Sequence, residues 1–207
     1  MTTLRYRPRV ESSYHHGALR ETLLAEGRRV LVEDGVDAVT LRELARRAGV
    51  SHAAPRRHFA DRHALLEAMA ARGFDELTEA LRVAGAAGDP SARLASYARS
   101  AVRFARENGP LLTLMWTARG DGTGPAAQAA HRFLTAGTTL LGEDPATVSP
   151  LPFLVAATLE GIGALAAAGR IPDDRIDEVV DAAVAMLSPA LPAHPPAPGP
   201  TRGRPAT

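Results

Sequence analysis

The chain has 207 residues, 45% apolar and 23% charged, long enough for one compact domain or two small ones around a real core. It contains no cysteine, which excludes disulfide frameworks, thiolate zinc sites and cysteine nucleophiles. The net charge of +1 is unevenly spread: residues 1–60 hold 11 Arg against 7 acids (+4), residues 61–190 hold 11 Arg against 16 acids (−5), and the tail adds two Arg, as expected of a basic head for a polyanion on an acidic body.

In chain order, residues 1–15 read as a flexible basic arm. From about His16 to Asp34, Leu19, Leu23, Val30 and Leu31 recur at helical spacing, and Gly35 sits where a glycine would end the helix. Thr40-Leu-Arg-Glu43 fits a capping box that starts a second helix, with Leu41, Leu44, Ala45 and Ala48 on its inner face. Gly49 breaks that helix, and Ser51 caps a third, short one reaching Phe59. Asp61 caps a fourth from Arg62 to about Val83. After "AGAAGDP" come helices over Ser91–Asn108, Leu111–Thr117 and, past "RGDGTGP", Pro125–Leu141.

The last two helices are expected over 150–168 and 172–191, before a Pro-rich disordered tail from 192 to 207. The apolar run Leu151 to Gly169 contains Glu160 and falls short of the roughly 20 residues a membrane span needs. With no charged n-region and apolar h-region at the start, a cytoplasmic protein without a membrane segment is expected. No segment alternates as a strand, so the fold class is all-α, with about nine helices.

A helix, a short turn containing Gly and a second helix, over residues 40–59, form the helix-turn-helix pattern. Its second element lies in the DNA major groove, so it needs apolar anchors on one side and small or polar side chains on the other. Val50, Pro55 and Phe59 suit the anchors, leaving His52, Ala53, Ala54, Arg56 and Arg57 outward. Arginine suits bidentate contact with guanine or phosphate, and small alanines let the backbone approach the bases. Pro55 stands at the edge of the first turn, where a missing amide is tolerated, so a tight but unbroken helix is expected.

The stretch "GALRETLLAEGRRVLVEDGVDAVTLRELARRAGVSHAAPRRHFADRHALLEAM" resembles the N-terminal domain of the tetracycline-repressor (TetR) family of bacterial regulators over about residues 16–75. The resemblance implies a homodimer whose heads, residues 16–62, bind a palindromic double-stranded DNA operator. It also implies a helical ligand-binding and dimerisation domain over 63–191, pairing through helices 150–168 and 172–191. Carried over residue by residue, Thr40 and Arg42 contact phosphate, while Ser51, His52, Ala53, Ala54, Arg56 and Arg57 occupy the groove. His58 and Arg62 hold backbone, with a helix C-terminal charge role as the other reading of His58. The chain departs from the family in having Arg56 where Tyr is common and Arg62 where Lys is common; both substitutions keep or raise the charge.

In the body, Tyr97, Phe104, Met115, Trp116, His131, Phe133 and Phe153 are candidates for an apolar pocket that takes a small-molecule effector. Arg103 and Glu160 join them because a charge on a mostly apolar helix is costly unless paired. "YARSAVRFARENGPLLTLMW" resembles a recurrent C-terminal subfamily, but "AATLEGIGAL" lacks that subfamily's His-Gly pair, so no ligand class follows. The arm "LRYRPRV" and the tail's "RGRP" each admit a minor-groove reading beside that of solvated charge. No nucleophile triad, phosphate loop or metal-spaced cluster stands out, so neither enzyme activity nor a cofactor or metal is expected. A repressor released by ligand is the leading expectation, with a ligand-independent regulator or a helical interaction adaptor as the alternative.

Overall fold

The computed structural model describes residues 13–86, 89–118, 122–144, 146 and 149–192, without the side chains of 13–17. Among the described residues are eight α-helices: α1 (Ser13–Asp34), α2 (Leu41–Arg47), α3 (Arg62–Ala84), α4 (Pro90–Glu107), α5 (Gly109–Thr117), α6 (Pro125–Leu140), α7 (Leu151–Ala167) and α8 (Ile176–Leu187). Four 3-10 segments, Val36–Ala38, Pro55–Arg57, Asp173–Arg175 and Ser188–Ala190, accompany them, and no described residue is in a strand. The fold is all-α. No described helix is long and apolar enough to cross a membrane. The arm "LRYRPRV" and the "RGRP" tail lie outside the described residues.

Two expected helices take a different form. The segment 172–191 is three pieces, because Pro172 is extended at ψ 142 and a 3-10 turn precedes α8. At its far end Pro189 cannot donate to the preceding turn, and the chain tightens into Ser188–Ala190. The segment from Ser51 to Phe59 is not an α-helix but a run of tight turns, described below.

The chain divides into two compact units. Of the described residues, one unit comprises those up to Gly73 together with those of Pro110–Gln128; the other comprises those of Phe74–Gly109 together with those from Ala129 on. The expected boundary after residue 62 thus falls inside a compact unit, and α5 belongs with the head.

In the first unit Leu23, Val30 and Leu31 of α1 bury with Val39, Leu44, Phe59, Leu65 and Met69. Each such side chain contributes roughly 1.5–3 kcal/mol. A Cβ at Gly27 would sit 2.8 Å from the Met69 Sδ, so α1 and α3 approach closely there. In the second unit α4 packs on α7 and α8. Gly163 lets α7 come against Val102 and Ala105 of α4, and the Phe74 and Phe133 rings meet at 5.8 Å.

Candidate nucleic-acid interface and effector cleft

Local chemistry fixes the entry to the site. Gly35, at φ 82, ends α1. Thr40 is the N-cap of α2, its Oγ1 accepting the Glu43 amide at 3.2 Å. The reciprocal half of the expected capping box is missing. The Glu43 carboxylate accepts instead from Arg46 Nε and Nη2 and from Arg47 Nε at 2.9, 2.6 and 2.9 Å. The hydrogen bonds from Arg46, then those from Arg47, hold the Glu43 carboxyl down at about 2. Arg47 also reaches Glu33 at 2.6 Å and Asp34 at 2.8 Å, tying the end of α1 to α2.

The turn that follows is a Schellman motif. Val50 donates to Ala45 O at 3.0 Å and Gly49 to Arg46 O at 3.3 Å, with Gly49 at φ 67. After it, Ala54 donates to Ser51 O, Arg57 to Ala54 O and His58 to Pro55 O, at 2.9, 3.2 and 2.9 Å. These are i→i+3 closures. Pro55 stands four residues after Ser51, where an α-helix would return its first amide, and proline has none to give. The expected third helix is therefore the 3-10 turn Pro55–Arg57, with a single i→i+4 closure from Phe59 to Pro55.

Pro55 and Phe59 are buried, Val50 is half-buried, and the Arg20 guanidinium lies 5.5 Å over the Phe59 ring. Ser51, His52, Ala53, Arg56 and Arg57 are exposed, as is Arg42, while Thr40, Ala54 and His58 are half-buried. Of the head's many arginines, several are already neutralised: Arg29 by Glu26, Arg46 and Arg47 by the carboxylates above, Arg72 by Glu21. Among the described residues no carboxylate pairs with Arg42, Arg56 or Arg57. Arg56 and Arg57 follow small Ala53 and Ala54 along the chain, just past Pro55, an arrangement that can neutralise phosphates while the backbone nears a groove floor.

Residues 23–69 match the family model described as bacterial regulatory proteins, tetR family.

The chain belongs to the TetR family.

It is a DNA-binding transcriptional regulator. The TetR-family chain is similar to a protein of unknown function from Rhodococcus sp. RHA1, at 39% identity and TM-score 0.71, over 87% of this chain and 99% of that one. A TetR transcriptional regulator from Streptomyces coelicolor matches at 25% identity and TM-score 0.54, over 81% and 97% of the two chains. A TetR family transcription regulator from Marinobacter aquaeolei VT8 shares the fold at 19% identity and TM-score 0.65, over 83% and 96%. No curated protein matches the chain.

The second unit of this TetR protein holds a narrow apolar cleft. Its walls include Leu81 of α3, Tyr97 of α4, Phe133 and Gly137 of α6, and Pro152 and Val155 of α7. Its cavity volume is about 20 Å³. That is room for about one water and for nothing larger. Burial first, and the Glu160 carboxylate second, hold the Tyr97 phenol above its ordinary value, which places these two expected residues near each other.

Other expected pocket residues lie elsewhere. Phe153 is 57% exposed, on the outer side of α7. His131 is exposed, and Met115 and Trp116 belong to the first unit. Arg103 is exposed in a polar groove between α4 and α8, flanked by the pairs Arg99–Asp181 and Arg106–Asp173. Phe104 is half-buried and is not among the cleft's walls. The sequence reading missed Leu81, Gly137 and Val155. A glycine inside an apolar helix was the one signal available, since it costs about 1 kcal/mol against Ala unless packing or function requires it.

Proposed function

We propose that this TetR-family regulator is a cytoplasmic homodimeric repressor that occupies a palindromic operator and leaves it when a small effector binds the second unit. The observation that carries the reading is the outward stripe of α7. Phe153, Leu154, Ala157, Gly161, Ala164 and Leu165 are all exposed and none carries charge. Met186 of α8, 70% exposed, extends the same chemistry. An exposed, largely apolar stripe of this kind, with the half-buried Glu160 at its edge, is costly in water and is what a second copy would cover. Two copies joined through α7 and α8 bring two heads to half-sites about 34–36 Å apart, one helical turn of DNA.

In each head Arg42 and Thr40 contact phosphate. Ser51, His52, Ala53, Ala54, Arg56 and Arg57 face the groove, with His58 against the backbone. The apolar cleft supports an effector with a largely apolar body. An effector that favours the opened cleft by about 2.7 kcal/mol raises the apparent operator dissociation constant about 100-fold. The nearly filled cleft also favours a second reading, a regulator without ligand control.

Gel shift and footprinting on the promoter of the protein's own gene test this, run across salt and with effectors found by thermal shift. A palindromic footprint with steep salt dependence, weakened by an effector, is expected. Retention that is weak and sequence-blind would refute the operator reading, and a footprint that no stabilising compound alters would leave the ligand-independent regulator.

A further inference from the structure

Arg62 was expected at the DNA backbone, and the structure gives it another occupation. Its Nε donates to Val39 O at 2.8 Å and its Nη2 to Val36 O at 2.6 Å, with Asp37 at 3.9 Å. Both carbonyls belong to the connection between α1 and α2, and Val36 O also receives the Val39 amide at 3.2 Å. The guanidinium thus spans both ends of the 3-10 turn Val36–Ala38. The second carbonyl matters most. Val39 O and the Thr40 N–H share one planar peptide, so holding the oxygen fixes the direction of that amide and the start of α2. On the other side of the same peptide, the Val39 side chain is fully buried.

The position of Arg62 is itself informative. It is the first residue of α3, whose N-cap Asp61 accepts the Ala64 amide at 2.8 Å. A cation at a helix N-terminus meets the positive end of the macrodipole, an unfavourable placement that something must offset. Two carbonyls lying across the fork of the guanidinium do so. A lysine could satisfy one of them as a point charge but could not bridge two in a fixed geometry.

We propose that Arg62 is a positioning residue for DNA binding. It clamps the loop 36–39 so that Thr40 and α2 are presented in register, and it is not a phosphate ligand. The inference rests on the DNA-binding reading of the head, and its test separates the two. Operator affinity and its salt dependence are measured for the intact wild-type protein, Arg62→Lys and Arg62→Gln, together with amide exchange of the free proteins.

With a clamp, Arg62→Gln weakens operator binding about tenfold while the slope of log affinity against log salt stays at the wild-type value. Arg62→Lys, which keeps the charge and loses the fork, weakens binding several-fold rather than restoring it. The Val39 amide exchanges faster in both variants without DNA. A phosphate ligand lost from two heads would instead flatten the slope by about 1.8, with Arg62→Lys behaving as wild type and exchange at Val39 unchanged. That set of results overturns the proposal. Failure of the wild type to bind any operator fragment overturns the DNA reading, and the clamp's role with it. Should Arg62→Gln fail to fold, Arg62→Lys carries the decision through its affinity, slope and exchange.

Discussion

Replacing Phe153 with Ala decides whether the outer side of α7 is an interface or a pocket wall. Phe153 leaves 57% of its surface in water. For a side chain of about 200 Å² that is roughly 115 Å², of which an alanine would keep about 40 Å². The difference of about 75 Å² is worth about 1.9 kcal/mol at about 25 cal/mol/Å². A symmetric interface loses it twice, so Phe153→Ala should weaken the dimer by about 4 kcal/mol, close to three orders of magnitude in its dissociation constant. Incomplete coverage in the dimer makes that an upper value. Sedimentation velocity over a wide concentration range reads it directly. The wild type should be dimeric at concentrations where Phe153→Ala is largely monomeric, with unchanged helix content. A variant that dimerises as tightly as the wild type, yet has lost its response to an effector, would refute the interface argument and return Phe153 to the pocket.

Four further outcomes follow from the geometry. Arg57→Ala should cost about 1–3 kcal/mol of operator affinity without altering thermal stability, as checked by gel shift and melting. Glu43, held down at about 2 by its arginines, contributes stability that is present above its ordinary value of 4.5 and is lost as pH falls towards 2. The stability gap between wild type and Glu43→Gln in acid titration should therefore be full above about pH 4.5 and close below it. A Cβ at Gly137 meets nothing within 4 Å, and that residue lines the cleft. Gly137→Ala should raise the melting temperature by removing a helix glycine worth about 0.5–1 kcal/mol, and its methyl on the wall of the cleft should weaken effector-induced thermal shifts. Gly27→Leu, forced against Met69 between α1 and α3, should cost about 1–3 kcal/mol in denaturant unfolding.

Short-range chemistry made the head legible in the sequence. Gly35, Thr40 and Gly49 act on their own peptide neighbours, so the ends of α1 and α2 and the turn could be placed without knowing the fold. Pro55 was visible too, but the balance it tips was not. One missing amide at the fourth position converts a short helix into a 3-10 turn when few other hydrogen bonds remain to hold it. In α7 the pattern carried no direction, since Leu151, Pro152, Phe153, Leu154 and Val155 are apolar all round. Packing against α4 and α8, not periodicity, selects which of them turn inward. The carbonyl partners of Arg62 were not legible for a related reason: they lie 23 and 26 residues away, beyond any local rule.

Charge shows the same gap between composition and structure, and it sets a limit on DNA binding that can be measured. The head's sequence counts many arginines, yet the structure leaves Arg42, Arg56 and Arg57 without carboxylate partners among the described residues. If only these release counterions, two heads engage at most six phosphates, and the salt slope should be no steeper than about −5. The arm contributes Arg5, Arg7 and Arg9, and their participation in both protomers would carry the slope to about −11. Deleting residues 1–12 separates the two cases. A slope near −5 that the deletion leaves alone places the whole electrostatic term on the helix-turn-helix. A steep slope that collapses on deletion assigns about half of it to the arm. A slope shallower than about −2 in the intact protein would mean that Arg42, Arg56 and Arg57 do not meet phosphate or base, and that the exposed basic side of this turn has been misassigned.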